Sequence, residues 1–167
     1  MPPFDPSAPR GPLYRAYDSF IRSKVGRAIA INVATKLDPV LLKASHGRYS
    51  AGLMMPSVRL TTTGAKSGEP REAAVLYFTD GADVILIASN FGRERHPAWY
   101  HNLVAHPEAL LERDGVSARY TATEVTDPAE RERLYGLATK VYAGYADYKA
   151  MTDAIGRRIP IMRLMVA

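Results

Sequence analysis

The sequence predicts an α+β fold in which six antiparallel strands close into a small barrel flanked by helices. Three observations carry this expectation. Short β-branched or apolar runs recur between residues 57 and 164, Asp80-Gly81 and Asp114-Gly115 join neighbouring runs as hairpins, and helical periodicity is confined to a few inserted segments. Closing the sheet pairs every strand edge. A doubly wound parallel sheet would instead need a helix after nearly every strand, which the hairpins deny.

The proline-rich start, residues 1–13, reads as a flexible leader without the apolar stretch of a secretory signal or a membrane span. Across residues 14–45, Tyr17, Phe20, Ile21, Val25, Ala28, Ile29 and Ile31 recur at helical spacing, with Arg22, Lys24 and Arg27 on other faces. This is a basic amphipathic helical segment. Its apolar stripe has three uses: packing on the body of the protein, lying on an anionic membrane, or covering a lipophilic substrate channel. Residues 46–167 are then the barrel domain.

Strands are expected at Ser57–Thr63, Glu72–Thr79 and Asp83–Ser89. A short helix follows from Pro97, with Trp99 and Leu103 four residues apart and Pro107 as its stop. Two more strands lie near Ala109–Arg113 and Ser117–Val125. Asp127-Pro128-Ala129-Glu130 supplies an N-cap, a first-turn proline and an early acid, so a helix begins there and buries Leu134, Leu137, Ala138 and Val141. A last helix near Tyr145–Ile155 leads into a terminal strand around Arg158–Leu164.

The chain has 167 residues, 47% of them hydrophobic, and no cysteine. That is enough apolar material for one substantial core. It also excludes disulfides, thiolate nucleophiles and cysteine-ligated metal centres, and suits a reducing cytoplasm. Residues 1–60 hold nine Lys/Arg against three acids, so the net charge of +5 originates in the N-terminal third. No nucleic-acid-binding motif accompanies it.

Several catalytic templates fail on inspection. Gly64-Ala65-Lys66-Ser67-Gly68 lacks the first glycine of a phosphate loop and has its Lys-Ser pair before the second glycine. There is no G-x-G-x-x-G, and Gly47–Gly52 has one residue too many for a nucleophile elbow. His96, His101 and His106, five apart, fall on different faces of a helix, so no metal site is expected.

What remains reads as a surface for an anionic ring. Lys66 and Arg71 bracket a turn between two strands. Ser89-Asn90-Phe91-Gly92 leaves a buried strand for a polar loop, with Arg93, Arg95 and His96 beside it and a helix N-terminus aimed at it. Tyr142, Tyr145 and Tyr148 lie three apart on a helix. They make either a core stripe or the wall of a substrate cavity, and the cavity would lie between Ser89 and Tyr145.

Leu60-Thr61-Thr62-Thr63-Gly64-Ala65-Lys66-Ser67-Gly68-Glu69-Pro70-Arg71, Ala88-Ser89-Asn90 and His96-Pro97-Ala98-Trp99-Tyr100-His101-Asn102-Leu103 resemble, in order and spacing, the deazaflavin (F420)-dependent nitroreductase family. Tyr145-Ala146-Asp147-Tyr148 and Arg158-Ile159-Pro160-Ile161 extend the resemblance to about residue 161. It implies an FMN-binding split barrel-like fold and coenzyme F420, with its deazaisoalloxazine ring, phosphate and polyglutamate tail. It also implies coenzyme contacts from Lys66, Ser67, Gly68, Pro70, Arg71, Ala88, Ser89, Asn90, Ala98, Trp99 and Asn102, with Ser89, Tyr142, Tyr145 and Tyr148 on the reacting side. Ala65 stands where the family often carries arginine, and Asn90 where a relative carries lysine; both bear on how the phosphate and tail are held.

The expected activity is hydride transfer from reduced F420 to a lipophilic quinone, enone or nitroaromatic acceptor, as nitroreductase or quinone reductase. Two rivals are an FMN-dependent oxidoreductase of the pyridoxamine phosphate oxidase type and a non-catalytic deazaflavin or lipid carrier. The expected location is cytoplasmic, with peripheral association at the inner face of the membrane through the N-terminal helix. Monomer and homodimer are both compatible with such a barrel.

Overall fold

In the computed structural model, residues 1–23 and 55–167 are described, with isolated positions 25, 26, 37, 40 and 44 between them. Most of the expected basic helix past Arg22 therefore lies outside the described residues. The strands are β1 (Ser57–Thr63), β2 (Pro70–Asp80), β3 (Asp83–Ile87), β4 (Glu108–Arg113), β5 (Val116–Glu124) and β6 (Ile161–Val166). The helices are α1 (Pro12–Arg22), α2 (Ala98–Ala105), α3 (Pro128–Val141) and α4 (Gly144–Asp153).

The strands close into an antiparallel barrel in the order β1-β2-β3-β6-β5-β4, with β4 returning to β1 through Leu60 opposite Leu111. The expected six-stranded barrel with flanking helices is thus the observed one. Only the last strand is shifted. It begins at Ile161 because Pro160 has no N–H for the ladder, while its carbonyl accepts from Ala88 N at 2.9 Å.

Period-2 alternation divides the apolar residues between two cores. Val58, Leu60, Val75, Tyr77, Val84, Leu86, Leu111, Tyr120 and Leu164 fill the barrel. Phe78, Ile85, Ile87 and Ile161 point outward and are covered by Leu134, Ala138 and Val141 of α3 and by Tyr145 and Tyr148 of α4. The N-cap of α3 forms as expected, with Asp127 Oδ1 accepting from Glu130 N at 2.8 Å. The apolar face of α1, through Tyr14, Tyr17 and Ile21, packs against this outer cluster.

The segment expected to be a flexible leader lies against the barrel. The amino group of Met1 donates to Tyr120 Oη, Tyr77 Oη donates to Pro2 O, and Phe4 N donates to Thr79 Oγ1. Two buried tyrosine hydroxyls in an otherwise apolar barrel need partners, and the N-terminal backbone supplies them.

The connections are unequal at the two ends. Tight turns join β2 to β3 and β4 to β5 at one end. The register places the β1–β2 turn, the exit of β3, α2, the exit of β5 and the entry of β6 at the other. Leu103 of α2, 1% exposed, closes the barrel there, and Trp99 packs on the same core. Replacing Leu103 with Ala should destabilise the fold by about 2–5 kcal/mol, read as a lower midpoint of chemical denaturation.

Candidate functional site

The helix-bearing end gathers the anion-binding candidates. Lys66, Ser67, Gly68, Pro70 and Arg71 all sit in the exposed β1–β2 turn or at its edge. Gly68 closes that turn with φ +70, its N–H donating to Gly64 O at 2.8 Å, and Gly64 leaves no room for a Cβ, which would meet Ser67 Oγ at 2.6 Å. Arg71 Nη2 reaches Ser67 Oγ at 3.5 Å, so Arg71 and the Lys66-Ser67 pair belong to one surface.

Asn102 ties this turn to α2. Its Oδ1 accepts from Ala65 N at 3.0 Å and its Nδ2 donates to Thr62 Oγ1 at 2.9 Å, with Asn102 and Thr62 both buried. Expected as a coenzyme contact, Asn102 spends its amide on protein groups that fix the cationic turn. Ala98 is exposed and Trp99 partly buried in the first turn of α2, whose N-cap Pro97 offers no side-chain cap.

Between β3 and α2 the chain makes an unusual turn. Ser89 is helical (φ −71, ψ −35), after which Asn90, Phe91 and Gly92 have φ of 50, 57 and 74. Two successive non-glycine residues in the left-handed region cost about 1–2 kcal/mol each. Polar contacts hold them: Gly92 N donates to Ser89 O at 3.1 Å, and Asn90 Nδ2 to Arg95 O at 2.8 Å. An αR-then-αL step turns consecutive N–H groups toward one concavity that suits an anion. Ala88 and Ser89 are buried at its base.

Arg157, from the turn after α4, lies behind Ala88 and Ser89 and meets their carbonyls and His96. Burial, then the charges of Arg157 and His101, holds the His96 pKa below the ordinary histidine value. A neutral His96 can accept the Arg157 hydrogen bond at Nδ1. A cleft of about 500 Å³ opens nearby, lined among others by Glu94, His96, Tyr100, Arg157 and Arg158. Neither Lys66 nor Tyr145 lines it.

The tyrosines come together, but as a closed cluster. Tyr142, Tyr145 and Tyr148 are each at most 7% exposed, and Tyr142 Oη pairs with Tyr148 Oη at 3.2 Å. Tyr135 Oη donates to Tyr145 O, and Tyr14 Oη of α1 to Val141 O. Burial drives the pKa values of Tyr135, Tyr142 and Tyr145 upward, so these phenols stay protonated. Phe91 meets Tyr148 edge-on, with ring centroids 6.1 Å apart, and so links the left-handed turn to the cluster. The expected open cavity between Ser89 and Tyr145 is here filled by aromatic packing and covered by α1.

Sequence reasoning missed Arg157, Thr62 and the Glu124 carboxylate that receives both Tyr100 Oη and Arg158 Nη2. The one available signal for Arg157 was its place directly after Gly156, whose φ of +68 turns the chain back over the barrel end. It also misjudged the histidines. His96 precedes α2, so helical spacing does not govern it, and its ring lies 5.9 Å from that of His101. Among the described residues no group of three or more candidate ligands could hold a metal ion.

Residues 37–165 match the family model of the F420H(2)-dependent quinone reductases. An F420H(2)-dependent quinone reductase of Mycobacterium tuberculosis is 32% identical over 136 residues, covering 77% of this chain and 87% of that protein. Among solved structures, the F420-H2-dependent reductase FDR-A is 34% identical with a TM-score of 0.59, covering 66% of this chain and 94% of the other. A second structure, described as a domain-swapped dimer, has the same identity and TM-score over 66% of this chain and 80% of its own. A heme storage protein of Vibrio cholerae, 11% identical with a TM-score of 0.52 over 68% of this chain and 83% of its own, shares the fold alone.

Replacing Asn102 with Ala should take the acceptor from Ala65 N and one of two partners from the Thr62 hydroxyl, and so loosen the Lys66 turn. The expected loss is about 1–3 kcal/mol of stability in a denaturant titration.

Proposed function

Since this chain belongs to the F420H(2)-dependent quinone reductase family, and is an F420-dependent oxidoreductase, we propose that it binds the coenzyme at the helix-bearing end of its barrel and reduces a lipophilic quinone. Enones and nitroaromatic rings are alternative acceptors of the same electron-poor kind. The observation that carries the site is the convergence of the Lys66–Arg71 turn, the left-handed Ser89–Gly92 turn and the uncapped start of α2 on one end of the barrel. The donor set fits the coenzyme: cations and outward N–H groups suit its phosphate and carboxylates, and Trp99 offers a flat apolar face for a ring.

Reduced F420 supplies a hydride from C5 of its ring when bound. The protein's own part is binding, orientation and proton supply. Lys66 and Arg71 hold negative charge at the open edge. Ala88, Ser89, Asn90 and Ala98 would border the ring, while Ser67, Gly68 and Pro70 shape the turn that carries the cations. Tyr142, Tyr145, Tyr148 and Ser89 are the candidate proton donors, and burial, which raises the phenol pKa of Tyr142 and Tyr145, keeps those two in the donor form. Reaching the tyrosines requires α1 to move from the face it covers, which gives the N-terminal helix a part in admitting the acceptor.

The FMN-dependent reading is not favoured, because the relatives that establish the family are F420H(2)-dependent. We read residues 46–167 as the deazaflavin-binding domain and residues 14–45 as a basic amphipathic helical segment, of which the described part, α1, packs on the outer cluster. No helix among the described residues is long and apolar enough to cross a membrane. α1 nevertheless carries Leu13, 70% exposed, and Phe20, 51% exposed, two turns apart on one side, while Arg15 is exposed on the opposite side and Arg22 pairs with Asp147 of α4. That pattern supports a peripheral position on the anionic inner face of the membrane, where a quinone would be met. The domain-swapped relative supports a homodimer.

Replacing Lys66 with Ala should weaken F420 binding about tenfold, or about 1.4 kcal/mol, in a spectral titration while leaving kcat at saturating coenzyme unchanged. Intact binding with lost turnover would contradict the role assigned to Lys66. The double substitution L13D/F20D should reduce co-sedimentation with anionic vesicles; unchanged sedimentation would remove the membrane from the account.

A further inference from the structure

Arg157 is the one charged side chain that is buried among the described residues, at 8% exposed. A buried guanidinium needs its donors used, and here they are turned on the backbone. Nη2 donates to Ser89 O at 2.5 Å and Nη1 to Ala88 O at 3.5 Å, while Nη1 also lies 2.9 Å from His96 Nδ1. The remaining donor, Nε, is buried without a partner among the described residues, so the side chain is held for its two-nitrogen fork and not for full satisfaction of its charge.

Those two carbonyls have a specific consequence. A peptide is planar and trans, so fixing the Ser89 carbonyl toward Arg157 aims the Asn90 N–H the opposite way. Ser89 is helical and Asn90 left-handed, which brings the Phe91 N–H round to the same side. Neither the Asn90 nor the Phe91 N–H has a backbone acceptor among the described residues. The result is a pair of adjacent, outward donors over a buried positive charge that does not itself reach the concavity.

We propose that Arg157 is a positioning residue for the coenzyme's phosphate: its hold on the Ala88 and Ser89 carbonyls orients the Asn90 and Phe91 N–H groups that receive that phosphate. The inference rests on the proposed coenzyme site at Ala88–Asn90. His96 serves as the third anchor, steadying Nη1 where a single carbonyl at 3.5 Å would not.

The test compares two probes that differ only in the phosphate: 8-hydroxy-5-deazariboflavin 5′-phosphate and 8-hydroxy-5-deazariboflavin. In the wild-type chain the phosphorylated probe should bind more tightly. In Arg157→Gln, affinity for the phosphorylated probe should fall about tenfold or more while affinity for the phosphate-free probe stays within about twofold. Arg157→Lys, with a cation but no fork, should fall between the two and covers the case in which the glutamine variant does not fold. A parallel loss for both probes, or no loss for either, overturns the inference and leaves Arg157 as packing. If the wild-type chain does not prefer the phosphorylated probe, the coenzyme-site reading fails first and takes this inference with it.

Discussion

Closure of the barrel by the β1–β4 pairing is the constraint on which the rest depends. Once every strand edge is paired, hairpins can turn back tightly, but links between strands that are not neighbours must climb over an end of the barrel. Here the one such link, β3 to β4 through α2, shares an end with the β1–β2 turn and the long β5–β6 connection through α3 and α4. Backbone donors, basic side chains and a helix start are brought there together by topology before any particular side chain acts.

Buried polar contacts then give that end its shape. Asn102 binds α2 to the cationic turn, and Arg157 binds the chain after α4 to the exit of β3. Each is a short polar bridge across two connections that would otherwise be independent loops. The left-handed residues at Asn90 and Phe91 store strain that an ordinary turn would relax, and Arg157 stands against the carbonyls that precede them. The site is therefore stiff where an anion would be gripped. The tyrosine cluster beside it is packed against by Tyr14, Tyr17 and Ile21 of α1.

Most of the barrel was legible in the sequence because its signals are local. β-branched and apolar runs with hairpin signals between them located all six strands, the last with its start misplaced, and Asp127-Pro128 with Glu130 announced α3 through a cap that the structure contains. Lys66 and Arg71 were legible as a pair because one hairpin turn carries both. Arg157 was not, since a basic residue after a helix reads as solvated until the fold shows Gly156 reversing the chain. The N-terminal segment misled for a related reason: its ties run through Pro2 O and Phe4 N, backbone atoms with no residue signature. Tyrosine spacing revealed a cluster but could not distinguish an open wall from a closed one, because that depends on α1, which is remote in sequence.

The most direct test of the central claim is a crystal structure of the chain with oxidised F420 bound. The account predicts the phosphate against the Asn90 and Phe91 N–H groups and the Lys66–Arg71 turn, with the ring beside Trp99. A coenzyme seated at the opposite, hairpin-bearing end of the barrel, or on α1 away from these turns, would contradict it.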